Sequence, residues 1–176
     1  MIGHDDIPFR TIIGAQLVAM AWVRAHFGAP RGKESATRQA ESAWLTATLG
    51  ILALLNFSAI FAYLVNPQLL RWSAFLVAAP IRWIAILASC LGSGGEIWAA
   101  VSLGASYSPL LRVAEERVVV TAGPYRWIRH PLYAFALPLM TGWAVAAGSW
   151  FILVTATVLI LVLMMGSPQK TEYKAR

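Results

Sequence analysis

Basic side chains along this chain crowd at the ends of long apolar runs. Ala43–Val65 is uncharged throughout and long enough, as a helix, to cross a hydrocarbon core of about 30 Å. Asn66-Pro67 ends it, because proline disfavours a helical conformation in the residue before it. A weaker run starts at Thr11 and reaches Phe27 once Arg24 is allowed to extend its head toward the headgroups. A third run opens at Pro80, which suits a first helical turn, and continues to Leu103 with Arg82 and Trp83 as interface anchors. From Pro131 to Gln169 no residue is charged. One helix over the apolar part of that stretch would rise about 52 Å, too far for a single span, and Gly148-Ser149 offers a turn. The pattern predicts an all-α, polytopic membrane bundle of about five helices, at about 11–27, 43–65, 80–103, 131–147 and 150–165. The last two form a helical hairpin, and no linker or repeat divides residues 1–176 into further domains.

Composition agrees. The chain is 59% hydrophobic and 12% charged, whereas soluble domains carry about 25% charged residues; lipid is the solvent this sequence fits. The net charge of +6 does not imply nucleic acid, since the basic residues form no stripe interleaved with stacking aromatics. Cys90 stands alone, which excludes a disulfide framework or a cysteine zinc set, and is expected to be a small buried side chain. Asp5 and Asp6 precede the first apolar run, so it is expected to be a retained span rather than a cleaved signal peptide.

Charge also predicts orientation. With the N-terminus outside, the segments 30–42, 104–130 and the tail after Gly166 are cytosolic. They hold Arg31, Lys33, Arg38, Arg112, Arg117, Arg126, Arg129, Lys170, Lys174 and Arg176, with Arg24 near the same face. The other side keeps Arg10, Arg71 and Arg82, the asymmetry of the positive-inside rule. A bacterial inner membrane or its equivalent is the expected location.

The candidate chemistry lies in the loop before the fourth span. Val118-Val119-Val120 is a β-branched run suited to an extended segment at the membrane surface. Gly123-Pro124 then forces a turn, and Gly123–Tyr133 gathers Tyr125, Arg126, Trp127, Arg129, His130 and Tyr133 at a helix start. Free N–H groups and the dipole of a helix N-terminus favour anions, and an arginine beside them supplies a bidentate carboxylate partner. A carboxylate-bearing ligand suits the place. The plainer alternative is that arginine and aromatic residues here are boundary anchors and His130 merely caps the helix. Glu115 and Glu116 read as a solvated face.

The order Leu103-Gly104…Tyr107-Ser108-Pro109, then Val119-x-Thr121-x-Gly123-Pro124-Tyr125-Arg126-x-x-Arg129-His130-Pro131-x-Tyr133, resembles the isoprenylcysteine carboxyl methyltransferase family. The resemblance covers roughly residues 80–138 and implies an integral membrane enzyme that moves a methyl group from S-adenosylmethionine. The acceptor would be lipophilic or lipidated, the carboxylate of a prenylated cysteine being one candidate, and would enter from the bilayer among the membrane lipids. Carried over by position, Arg129 and His130 become catalytic candidates, and Tyr125, Arg129, His130 and Tyr133 become cofactor-binding candidates. No metal is implied, and the oligomeric state stays open.

Glu96, in the third span beside Gly92, Gly94 and Gly95, is a second candidate. Ionisable residues inside spans are costly and functional by default, although an ion pair with a neighbouring arginine is an equal alternative; the glycines are expected to admit another backbone closely. An alternative to the enzyme is a catalytically inactive membrane relative acting as a scaffold or accessory subunit. It is supported by the short stretch after Gly166, where only Glu172 and Tyr173 stand for the cofactor-closing segment expected of the family, and Pro168 would interrupt a continuing helix.

Overall fold

The computed structural model describes residues 6–27, 39–103, 123–128 and 130–166. Five α-helices run through it: α1 (Ile7–Phe27), α2 (Gln39–Val65), α3 (Ala79–Leu103), α4 (Pro131–Ala147) and α5 (Trp150–Gly166). The apolar runs thus become helices at nearly their expected bounds. Two helices, α2 and α3, are long and apolar enough to cross a membrane, while α4 and α5 are apolar but shorter. The first helix is not among them; it begins four residues earlier than hydropathy suggested, because Asp6 and Arg10 at its start are matched by partners on other helices.

Large apolar side chains cover the outside of the bundle, among them Val18, Leu54, Phe61, Ile84, Leu91 and Leu161, each more than half exposed. A soluble domain would not leave such a continuous apolar coat. Inside, Phe9 and Ile13 of α1 pack with Ile60 and Tyr63 of α2, Ile86 of α3, Trp143 of α4 and Ile152 of α5. One core therefore joins all five helices.

The tightest pair is α3 with α4. A methyl at Gly92 would lie 2.6 Å from the Leu139 amide nitrogen, and one at Gly142 would lie 2.5 Å from the Ala85 carbonyl oxygen. Helix backbones that approach this closely need glycine at the crossing. Since Gly92 meets 135–139 while Ala85 and Ser89 meet Gly142, the pair is antiparallel. Gly95 abuts only the Phe135 ring and Gly94 has nothing within 4 Å, so the expected close approach of another backbone holds for Gly92 alone of the three glycines. Cys90 also departs from its expectation. It is exposed on α3, with Gln16 Nε2 3.0 Å from its sulfur, because the inward positions of this turn are taken by Ser89 and Gly92.

Two polar arrangements tie helices through the interior. Asn56 donates to the Ile152 carbonyl at 3.2 Å and to Thr155 Oγ1 at 2.9 Å, joining α2 to α5. Trp143 Nε1 donates to Gln16 Oε1, and Gln16 Nε2 donates to Ser89 Oγ at 3.1 Å, joining α4, α1 and α3. Such bonds average about 0.6 kcal/mol each between membrane helices, so they fix rotation more than they add stability.

The α4–α5 turn is built as its sequence suggested. Gly148 sits at φ +62°, the left-handed conformation glycine tolerates. Its carbonyl accepts from the Phe75 amide at 2.8 Å, and Ser149 Oγ lies 2.8 Å from Ser73 Oγ. The partner segment is a 3-10 turn, Pro67–Ser73, capped by the Asn66 side chain accepting from the Gln68 amide. Hydropathy did not reveal this turn.

Candidate functional site

The bundle has two polar ends. At one, Arg82 forms an ion pair with Asp6, donates to the Ala146 carbonyl at 2.8 Å and to Tyr63 Oη at 3.2 Å, and covers the Phe9 ring at 4.1 Å. Arg82, expected to be an interface anchor, is a junction of α1, α2, α3 and α4. Arg10 Nε donates to the Leu64 carbonyl at 2.9 Å and a terminal nitrogen to Val65 at 3.1 Å, filling acceptors left open at the end of α2.

The other end carries the motif. Gly123 has φ +60°, and a methyl there would stand 2.1 Å from Ser102 Oγ and 3.3 Å from Trp98 Nε1. The turn is thereby pressed against the last turn of α3. Gly123–Arg126 forms a single 3-10 turn with Pro124 buried, and the Pro124 carbonyl accepts from the Trp127 and Ile128 amides at 3.1 and 3.0 Å. Trp127 lies 6.3 Å from Trp98, ring to ring, and the Arg126 guanidinium is 6.0 Å from the Trp127 ring. Pro131 is the buried first residue of α4, where a missing N–H costs nothing.

His130 precedes α4 as its N-cap residue, yet its side chain makes no capping bond. The capping alternative for this histidine therefore fails. Its ring is exposed and stacks on Tyr133, with centroids 5.8 Å apart and planes at 25°. The structure brings His130 and Tyr133 together and puts Tyr125, half-buried, on the turn just before them. Arg129 lies outside the described residues, as do 104–122, with Glu115, Glu116 and the run Val118–Val120, and the tail after Gly166.

A cavity of about 370 Å³ opens between α1, α2, α3 and α4, walled by Leu17, Met20, Ala21, Phe57, Leu139, Met140 and Trp143. Its two charged walls are Glu96 and Arg24. The Glu96 side chain is buried, yet the only ion pair among the described residues is Asp6–Arg82. Sequence singled out Glu96 but gave no sign of the cavity, because its walls come from four helices far apart in the chain. Arg24, expected to reach for headgroups, and Trp143, read as part of an apolar run, were missed as cavity residues. Among the described residues no cluster of metal-ligating side chains occurs.

Apolar helices with an outward-facing lipophilic coat are those of an integral membrane protein, here with a polar motif at one end and a largely apolar cavity among α1, α2, α3 and α4. The family model for the isoprenylcysteine carboxyl methyltransferase family matches residues 83–175, more than half of the chain, and the protein belongs to that family. Its members are integral membrane methyltransferases that use S-adenosylmethionine. No curated protein and no solved structure matches the chain.

Proposed function

We propose that this chain transfers a methyl group from S-adenosylmethionine to a lipophilic acceptor at the cytosolic membrane face, with the N-terminus on the opposite side. Family membership over residues 83–175 is the observation that carries the reading. The local chemistry fits the cofactor. Helix α4 starts with free first-turn N–H groups and the positive end of its dipole, which suits a carboxylate. Beside it, the exposed His130–Tyr133 stack is not used for capping.

Bound S-adenosylmethionine supplies a methyl group already activated on a sulfonium. The faces of Tyr125 and Tyr133 would attract that cation, a contact worth about 0.5–2 kcal/mol. Arg129 would hold a carboxylate through a bidentate pair, and His130 would hydrogen-bond the cofactor or orient Arg129. Catalysis then rests chiefly on positioning, with reacting atoms held about 3–3.5 Å apart. An ionised carboxylate acceptor, as in a prenylated cysteine, needs no general base.

Calorimetry of S-adenosylmethionine binding to the purified chain in nanodiscs, beside Arg129→Ala and His130→Ala, tests this. Saturable binding by the wild type, weakened at least ten-fold in both variants, is expected. A folded wild type that binds no cofactor would overturn the enzyme and leave a non-catalytic family member.

A further inference from the structure

Glu96 is an unusual residue for its surroundings. It is 8% exposed, inside an apolar helix, and among the described residues no hydrogen bond reaches it and no cation closes on it within ion-pair distance. A buried carboxylate left in this state is costly in a membrane helix. The other carboxylate described near a basic residue, Asp6, is fully engaged by Arg82. Glu96 instead walls a cavity, and Arg24 walls the same cavity without meeting it. The two stand beyond ion-pair distance, with Arg24 acting on the carboxylate through space.

Helix geometry sets the depth of each group. At about 1.5 Å per residue, Arg24 lies roughly 5 Å and Glu96 roughly 10 Å from the motif ends of α1 and α3. On α4, Met140 and Trp143 lie about 14 and 18 Å below Pro131. Both charges therefore lie on the motif side of the cavity, and Leu17, Phe57, Leu139, Met140 and Trp143 supply its apolar wall. At about 370 Å³ the space is at the small end of ligand pockets, with room for one hydrocarbon chain rather than two.

We propose that this cavity binds a single-chain amphiphile with a zwitterionic head, its cationic group on Glu96, its anionic group on Arg24, and its tail against Trp143. A head bearing only an anion would leave Glu96 buried and unpaired, a penalty of the kind that makes polar sites selective. Two sources offer this chemistry: a lipidated free amino acid, with its ammonium and carboxylate, and a single-chain ethanolamine lysophospholipid. That the amphiphile is also the methyl acceptor rests on the function proposed above; its binding does not.

The test uses the full chain in nanodiscs, with empty discs subtracted. Probes sharing one tail isolate the head: S-dodecylcysteine, its N-acetyl derivative lacking the cation, and its methyl ester lacking the anion. A dodecanoyl lysophosphatidylethanolamine represents the second source. At least one of the two zwitterions should bind about ten-fold or more tighter than both single-charge forms, and the tighter zwitterion identifies the source. Glu96→Gln should abolish the preference over the N-acetyl form, and Arg24→Gln the preference over the ester. Met140→Trp, which fills the cavity, should weaken all the probes. Equal binding of all heads, or a preference that survives Glu96→Gln, would overturn the proposal. Cofactor binding is measured on the same samples. A wild type that binds the zwitterion but not S-adenosylmethionine overturns only the methyltransferase, and one with the reverse behaviour overturns only the cavity ligand.

Discussion

The two ends of the bundle use similar residues in opposite ways. At the Asp6 end, carboxylate and guanidinium are in contact, and Arg82 and Arg10 spend their donors on a phenol and on main-chain carbonyls of other helices. At the motif end, Glu96 and Arg24 face one cavity without meeting, and the His130 ring leaves its capping position unused. Polar groups that are closed on one another hold helices together. Polar groups left open next to an apolar space do not.

If that contrast is sound, substitutions at the two ends should differ in sign. The largest effect is expected from Arg82→Ala, which strands the buried Asp6 and empties two further acceptors. Breaking one side of a buried pair costs about 3–5 kcal/mol, read as a drop in thermal midpoint in detergent, with cofactor affinity of the surviving folded fraction unchanged. Arg10→Ala removes charge-assisted bonds to the Leu64 and Val65 carbonyls and should cost about 1.5–3 kcal/mol. Glu96→Gln should go the other way. Removing an unpaired carboxylate from an apolar helix is expected to raise the midpoint, a gain of about 0.5–2 kcal/mol of the sort seen when functional strain is relieved. A Glu96→Gln protein less stable than wild type by the margin of Arg82→Ala would erase the contrast. The smallest stability change belongs to His130→Ala, within about 0.5 kcal/mol because no cap bond is lost; its loss should instead appear in cofactor titrations.

Hydropathy revealed most of the helices because their ends are written in strong local signals. Pro131 opens α4, Gly148 closes it, and Asn66-Pro67 closes α2. What hydropathy could not reveal is rotation. The helices are apolar on nearly every side, so no stripe says which face turns inward, and Cys90 and Gly94 were accordingly misjudged. The start of α1 was hidden for a related reason: Asp6 and Arg10 read as polar flanks until partners more than fifty residues away engage them. Of the candidate site, the nearness of Tyr125, His130 and Tyr133 was legible because the motif is contiguous, and the stacking of the last two follows from a spacing of three residues at a helix start. The cavity was not, since Leu17, Phe57, Glu96 and Trp143 become neighbours only through tertiary packing.

The lengths of the helices bear on the membrane itself. Helix α2 has 27 residues and α4 and α5 have 17 each, or about 40 Å against about 25 Å at 1.5 Å per residue. The hairpin cannot lengthen downward, because Gly148 and Ser149 are bound to Phe75 and Ser73. On the orientation proposed above, a hydrocarbon core of about 30 Å would thin beside α4, as it does around short hydrophobic segments. The start of α4, and with it the His130–Tyr133 stack, would then sit in a dimple at headgroup depth. An acceptor anchored by its tail would reach the motif there without leaving the bilayer.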